Sequence, residues 1–430
     1  MPPADVRIDR HKTSRWLRRG ARLSPAVGVW VAAMHREREL SPTVGVILAC
    51  ATFGAAGASM TVPGTLLPVL VDALRIRLVE AGSMFALLGV GYLLSAASAG
   101  PVIRLCGLRA VLSIGMLGYA AGTGGFGAVS TWSGAATMLF ISGLGWGVVE
   151  VALSTLFIAI GGARSANLLN LGQLSFGVGA FVGPAAAAWV VAGGVSWRAV
   201  FEVAGGLTAL TALAWALQPI RRAAPVDASP AQAKTTPLRS KLTVVMALML
   251  AAGVGVEMGT GGWLSKYMVQ VRGVDLSYGG TVVSLYWMGI AAGRLILSAT
   301  SQYFNQERLL VGLPISAAAA FAFGLATQHS AAAAAAFAVT GLAISGIFPG
   351  MLALAGKYHP QNVPGITSVV ITGGGLGGII IPWVMSAVAD GFGLVAGMAF
   401  YVVMCGLMIV LAIAINVLRP ATSDRSGVIE

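Results

Sequence analysis

From about residue 42 to residue 417 the chain alternates between long apolar runs and short breaks rich in polar residues, glycine or proline. The runs are about 20 residues or longer, which is what an α-helix rising 1.5 Å per residue needs to cross roughly 30 Å of hydrocarbon. They predict helices over residues 43–71, 80–103, 108–129, 133–160, 166–192 and 197–218. A second set is predicted over 242–270, 277–301, 308–326, 330–356, 363–388 and 391–417. The break between the sets carries Pro219, Pro225, Pro230 and Pro237 together with Arg221, Arg222, Lys234, Arg239 and Lys241, which is linker composition. The chain therefore divides into a basic tail (1–42), a six-helix half (43–218), a linker (219–241), a second six-helix half (242–417) and a short tail (418–430). The expected fold is an all-α membrane protein with twelve transmembrane helices in two six-helix bundles related by pseudo-two-fold symmetry.

Composition excludes a soluble globule, since 57% of the residues are apolar, 10% are charged and the mean hydropathy is +0.84. The helices leave no length for a soluble domain. Charge placement adds orientation. The tail before residue 42, the loops after the even-numbered predicted helices and the C-terminal tail hold 21 of the 27 Lys and Arg residues. Short basic loops stay on the cytoplasmic side, so an inner-membrane protein with both termini in the cytoplasm is expected. The net charge of +12 is then a topology signal with some attraction to anionic lipid, and nucleic acid is not an expected partner. The apolar stretch from Pro25 to Met34 is too short for an export signal and runs into His35, Arg36, Glu37 and Arg38, so the first residues read as a basic tail. Cys50, Cys106 and Cys405 lie in or beside apolar runs and form neither a disulfide framework nor a metal set.

A charge at a helix centre costs about 2.5–3.5 kcal/mol on insertion scales and persists for a reason. Glu150, in the fourth predicted helix, is about ten residues from the cytoplasmic end, roughly 15 Å deep. Gly143, Gly147 and Ser154 share its face, which is small and suited to a packed or water-lined interior. Glu257 repeats the arrangement in the seventh, with Gly253 and Gly261 about one turn to either side. A carboxyl that can be neutralised by a proton in this setting is a candidate proton carrier; the competing reading is a neutral hydrogen-bonding group that packs helices or orients a ligand. Arg294, in the eighth, is placed about 10 Å deep against roughly 22 Å for Glu257, so the two are not expected to pair. Arg294 is expected to snorkel to the surface or join an inner gate. Glu202 lies four residues from Arg198 and reads as an interfacial ion pair.

Several segments carry a family resemblance. They are GLGWGVVEVALS from Gly143, LNLGQLSFGVGAFVGP from Leu169, GVGVEMGTGGWLSKY from Gly253, AGRL from Ala292, FPGMLALAGKYHP from Phe348 and GGGLGGIIIPW from Gly373. With them the chain resembles the fucose permease-like branch of the major facilitator superfamily over nearly all of its membrane region. The resemblance implies the major facilitator fold and proton-coupled uptake of a sugar or related polar solute, with Glu150 at the acidic position of the fourth helix. The sequence departs from the pattern at Ser154 and Gln173, where the family has Asn and often His, and its first helix offers no acid, which puts fucose itself in doubt. The superfamily's basic loop after the second helix survives as Gly100, Arg104, Gly107 and Arg109 without its acid, so Arg104 and Arg109 join Arg294 as gating candidates. The matching stretch after the eighth helix has Gln302 and Tyr303, with Glu307 and Arg308 beyond.

Sugar sites combine amides and aromatic faces. Asn170 and Gln173 on the fifth helix, Trp263 and Tyr267 on the seventh, and Tyr286 and Trp287 on the eighth are the substrate-binding candidates. Three functions compete. The first is proton symport of a sugar or polyol, with Glu150 and Glu257 as proton-coupling residues. The second is proton-antiport efflux of hydrophobic compounds, because Gly179, Gly183 and Pro184 partly match an antiporter motif that Ala187 and Ala188 leave incomplete. The third is a membrane sensor or an enzyme, which no nucleophile–base pair, metal cluster or phosphate loop supports. The expectation is a non-enzymatic secondary transporter working as a monomer by alternating access. Its partners are a small-molecule substrate and the lipid bilayer, and its energy comes from the proton gradient, with no cofactor or metal. The glycine cluster from Gly373 to Gly378 is either a hinge or a close-packing surface.

Overall fold

The computed structural model describes residues 41–219, 240–300 and 303–419. Most of the basic tail, most of the linker, Gln302 and the last residues lie outside the described residues. Regular structure among the described residues is helical. The helices are α1 (Pro42–Met60), α2 (Val62–Thr65), α3 (Leu67–Leu74), α4 (Leu78–Cys106), α5 (Leu108–Ala128), α6 (Trp132–Gly161), α7 (Ser165–Ala192) and α8 (Trp197–Leu217). After the linker come α9 (Lys241–Arg272), α10 (Leu276–Thr300), α11 (Gln306–Ala326), α12 (Ser330–Ile344), α13 (Ile347–Tyr358), α14 (Val363–Phe392) and α15 (Leu394–Leu418). Ten stretches among them are long and apolar enough to cross a membrane.

Two predicted helices are broken. The first divides into α1, α2 and α3 because Pro63 and Pro68 each sit in the first turn of a new helix, where a proline needs no partner for its missing N–H. The tenth divides at Ser345 and Gly346 into α12 and α13, with Pro349 in the first turn of α13. By contrast α14 runs unbroken through Gly373 to Gly378. A Cβ at Gly377 would come 2.1 Å from the Ala251 carbonyl oxygen, so close packing accounts for that glycine without a hinge.

In the N-terminal group, α1 packs on α7, α4 on α6, and α5 on both α6 and α8. In the C-terminal group, α9 packs on α14 and α15, α10 on α12, and α11 on α12 and α15. Three seams join the groups: α4 with α14, α7 with α10, and α9 with α2 and α3. Among the described residues, the hydrogen bonds and ion pair that cross between the groups all lie at the far end, away from the start of α1 and the finish of α15. The Leu78 N–H donates to Asp390 (3.2 Å), Ser284 accepts from the Ala185 N–H (3.0 Å), and the Trp189 indole donates to Thr281 (3.2 Å). Arg77 lies 3.8 Å from Asp390. Backbones also meet there, for a Cβ at Gly64 would fall 2.6 Å from the Gly262 Cα. The near end carries no such crossing contact among the described residues, and there Asn170, Leu171, Gln173 and Leu174 on α7 are exposed.

Each group fastens a helix end at the far side with an arginine. Arg198 donates to the Gly127 and Val129 carbonyls (2.7 and 2.6 Å) at the C-terminus of α5, while its guanidinium covers the Trp197 ring. The expected pairing of Arg198 with Glu202 is not formed; the guanidinium instead satisfies the orphan carbonyls that end α5, which have no partner within their own helix. Arg272 does the same for the Gly324 and Leu325 carbonyls of α11, at 2.8 Å each. The loop before α10 is capped by Asp275, whose carboxylate accepts from the Ser277 hydroxyl (2.6 Å) and the Tyr278 N–H (2.7 Å). Those bonds, the Ser277 one foremost, hold the Asp275 carboxyl below the usual range.

Candidate functional site

The site grows from a glycine contact. Gly143 and Gly147 lay α6 directly on α4; a Cβ at either would fall 2.0 Å from the Leu88 carbonyl oxygen or 2.3 Å from that of Tyr92. That closeness brings the Tyr92 side chain to Glu150, one turn further along α6. The half-buried Glu150 carboxyl faces the Tyr92 hydroxyl, the Gln173 amide from α7 and the Trp146 indole, and makes no ion pair within 4 Å among the described residues. Trp146 is held in place by stacking on Phe176 (centroids 6.2 Å apart) and by the edge of Phe53 at 5.7 Å.

Arg294 reaches toward the same place from the C-terminal group, within Coulombic range of Glu150. Its Nη2 lies 2.9 Å from Glu257 Oε1; Glu257 is 6% exposed in its side chain and Arg294 is 36%. The two were not expected to pair. Depth counted from each helix end misleads because α9 and α10 are staggered. The Tyr286 hydroxyl donates to the Glu257 carbonyl (3.0 Å), so Tyr286 is level with Glu257, and Arg294, two turns below, extends its long side chain upward. The snorkelling reading of Arg294 gives way to an ion pair.

The other candidates separate. Asn170 and Gln173 lie exposed on α7 toward the near end, and Gln173 meets Glu150. Trp263, Tyr286 and Trp287 are buried, Tyr286 level with Glu257, Trp263 edge-on to Phe85 across the seam (6.5 Å) and Trp287 packed over Gly261. The indole nitrogens of Trp263 and Trp287 are buried without a hydrogen-bond partner. Tyr267 packs among Arg272 and Phe337 inside the C-terminal group. Arg104 and Arg109 are exposed at the near end, and Arg109 donates to the Ala216 carbonyl, tying α5 to α8 within one group. Glu307 accepts from Lys357 (2.6 Å) and Tyr358 (2.9 Å), joining α11 to α13.

Sequence reasoning missed Tyr92, Trp146 and Lys266. Tyr92 is the single tyrosine of its helix and its hydroxyl could have marked it. Lys266 is 7% exposed on α9 with Asp72 of α3 as its charged neighbour; its position near a predicted helix end kept it out of the membrane-charge list. Chemically, the surroundings of Glu150 offer a carboxyl among neutral hydrogen-bonding groups, a guanidinium within Coulombic range that is paired with Glu257, and amide and aromatic surface. Among the described residues there is no His, Cys, Asp and Glu group that could hold a metal ion.

A model described as the Major Facilitator Superfamily matches residues 48–332 and 280–429. The chain belongs to the Major Facilitator Superfamily. Over 354 residues it is 21% identical to the TsgA homolog of Erwinia tasmaniensis, covering 81% of this chain and 88% of that protein. Among solved structures it is similar to the nucleoside transporter NupG, with a TM-score of 0.74 at 13% identity over 88% of this chain and 100% of that one. A bacterial Spinster homolog in an inward-facing, occupied conformation gives 0.73 at 12% identity over 88% and 98%. The fucose:proton symporter FucP in its outward conformation gives 0.58 at 17% identity over 87% and 99%. These likenesses establish the fold, and superfamily membership makes the chain a transporter and not an enzyme.

Proposed function

We propose that this superfamily member is a proton-coupled symporter of a sugar or related small polar solute, working by alternating access in the inner membrane with both termini cytoplasmic. The observation that carries the reading is Glu150: a half-buried membrane carboxyl with no ion-pair partner within 4 Å among the described residues, facing Tyr92 and Gln173, with Arg294 of the other group in Coulombic range. Protonated, it leaves Arg294 to Glu257. Deprotonated, it competes for Arg294 across the cleft and draws the two helix groups together at the near end, which is the differential interaction a coupled conformational change requires. The ten apolar stretches are read as twelve crossings: Trp132–Ala192 contains both α6 and α7, and α5 crosses although its six glycines lower its hydropathy. The two groups then act as six-helix halves that rock about the cleft, with a monomer as the working unit. The described state is read as inward-facing, which its far-end seam and its greater likeness to the inward-facing Spinster homolog than to outward FucP support.

Efflux of hydrophobic compounds finds no support. Gly179 and Gly183, which motivated it, press on the backbone of α1 at Gly54 and Ala58 and are accounted for by packing. The test is uptake of labelled sugars, polyols and nucleosides into proteoliposomes under an imposed proton gradient, for wild type and Glu150→Gln. Driven uptake lost in the variant with solute exchange retained is the expected result; unaltered driven uptake would sink the assignment.

A further inference from the structure

Behind Tyr92, inside the N-terminal group, lies a small, partly open space that shares Tyr92, Gly143 and Trp146 with the site. It leaves about 10 Å³ for the centre of a water-sized sphere, room for one water molecule. Its polar lining consists of hydroxyls: Tyr92 from α4, Ser59 from α1, Tyr119 and Thr123 from α5, and Ser142 from α6. All but Tyr92 are already linked. Ser59 and Tyr119 are 2.8 Å apart, Tyr119 faces Thr123, and Thr123 lies 3.4 Å from Ser142. At the Glu150 end of this set stands Tyr92; at the other, Ser142 is eight residues from Glu150 along α6, about 12 Å nearer the far end. Beyond Ser142 the lining turns apolar. Phe126, Leu139 and Phe201 are buried there, the two phenyl rings 4.5 Å apart.

We propose that this space holds water and that, with its hydroxyls, it forms a proton relay internal to the N-terminal group, giving Glu150 a path separate from the solute cleft. The proposal rests on the proton-coupled reading of Glu150. Each hydroxyl and the water can donate one hydrogen bond and accept another. A proton arriving at Ser142 breaks and forms one O–H bond per step through Thr123, Tyr119, Ser59, the water and Tyr92, and ends on the Glu150 carboxyl. Every intermediate hydroxyl finishes as it began, and no second reactant is consumed. Because the five residues belong to helices packed in one group, the relay survives rocking of that group against the other. Phe126, Leu139 and Phe201 close its far end in the described state, so a proton reaches Ser142 only when these side chains part.

The experiment measures gradient-driven uptake, solute exchange and solute-independent proton entry, the last with an entrapped pH-sensitive dye, in proteoliposomes of the full chain. Tyr119→Phe and Ser59→Ala each remove a hydroxyl and little else. Both are expected to slow driven uptake about tenfold, as loss of a proton-transfer partner does, while exchange changes less than about twofold and reports a folded protein. Leu139→Ala, with Leu139→Val as the milder version, is expected to admit protons without solute. Wild-type driven uptake in both hydroxyl variants, with Glu150→Gln still inactive, would overturn the relay and leave the symport reading standing. Wild-type driven uptake in Glu150→Gln would remove the reading beneath it.

Discussion

The two helix groups each carry one buried acid near the middle of the molecule and treat it differently. Glu257 has a guanidinium at 2.9 Å. Glu150 has none within 4 Å among the described residues and faces neutral hydrogen-bonding groups, with a linked set of hydroxyls behind them. The contrast extends outward. Among the described residues, the buried side-chain polar atoms left without a partner, from Thr243 to Tyr401, all belong to the C-terminal group. An acid locked by an ion pair resists a change of charge, whereas an acid among neutral donors can change its charge at small structural cost, so on the proposed reading the same residue type has opposite roles in the two groups.

The sharpest break of that comparison is Glu150→Gln. It is expected to lower gradient-driven uptake at least about 100-fold, the scale of a lost proton carrier, while thermal unfolding in detergent shifts by less than about 1 kcal/mol. Next is Arg294→Met, which strands Glu257. A loss of about 2–3 kcal/mol is expected, the low side of the range for breaking a buried pair because Arg294 keeps a third of its side chain exposed. Adding Glu257→Gln should restore most of it, and a double variant no more stable than the single one would show that the pair does not hold the fold. Gly143→Ala and Gly377→Ala each press a methyl into a neighbouring backbone, at 2.0 and 2.1 Å, and should cost about 1–3 kcal/mol apiece. Only the first should also reduce driven uptake, since it parts Tyr92 from Glu150. The smallest effect belongs to Asp275→Asn. The cap holds the folded Asp275 pKa below its unfolded value, so its stabilisation is present above about pH 4 and fades as pH falls through the folded value. The difference in Tm between variant and wild type should therefore shrink on acidification.

Helix positions were legible because length and apolarity alone decide them in hydrocarbon, and Pro63, Pro68 and Pro349 mark where a run must restart. Glu150 and Glu257 were legible as costly charges. Their different surroundings were not. Which partner a membrane charge finds depends on the stagger of neighbouring helices, and residue counts from helix ends carry no information about stagger; Arg294 shows this. Arg198 teaches a related point, since the i,i+4 rule named Glu202 and tertiary packing offered helix-end carbonyls instead. The hydroxyl set around Tyr119 was invisible for another reason: Ser59, Tyr92, Tyr119, Thr123 and Ser142 come from four helices and have no shared spacing along the chain.

The meeting of Gly64 and Gly262 at the far end bears on speed. A seal built from interlocked side chains must unthread before it parts, and each rotamer change adds to the barrier. Two bare backbones separate like flat plates, with little to rearrange on the way. On the inward-facing reading, this part of the far-end seam is tight at rest and quick to release, unlike the Arg77–Asp390 and Trp189–Thr281 contacts in the same seam. A single methyl at position 64 would act as a permanent wedge, removing the closed state from the cycle.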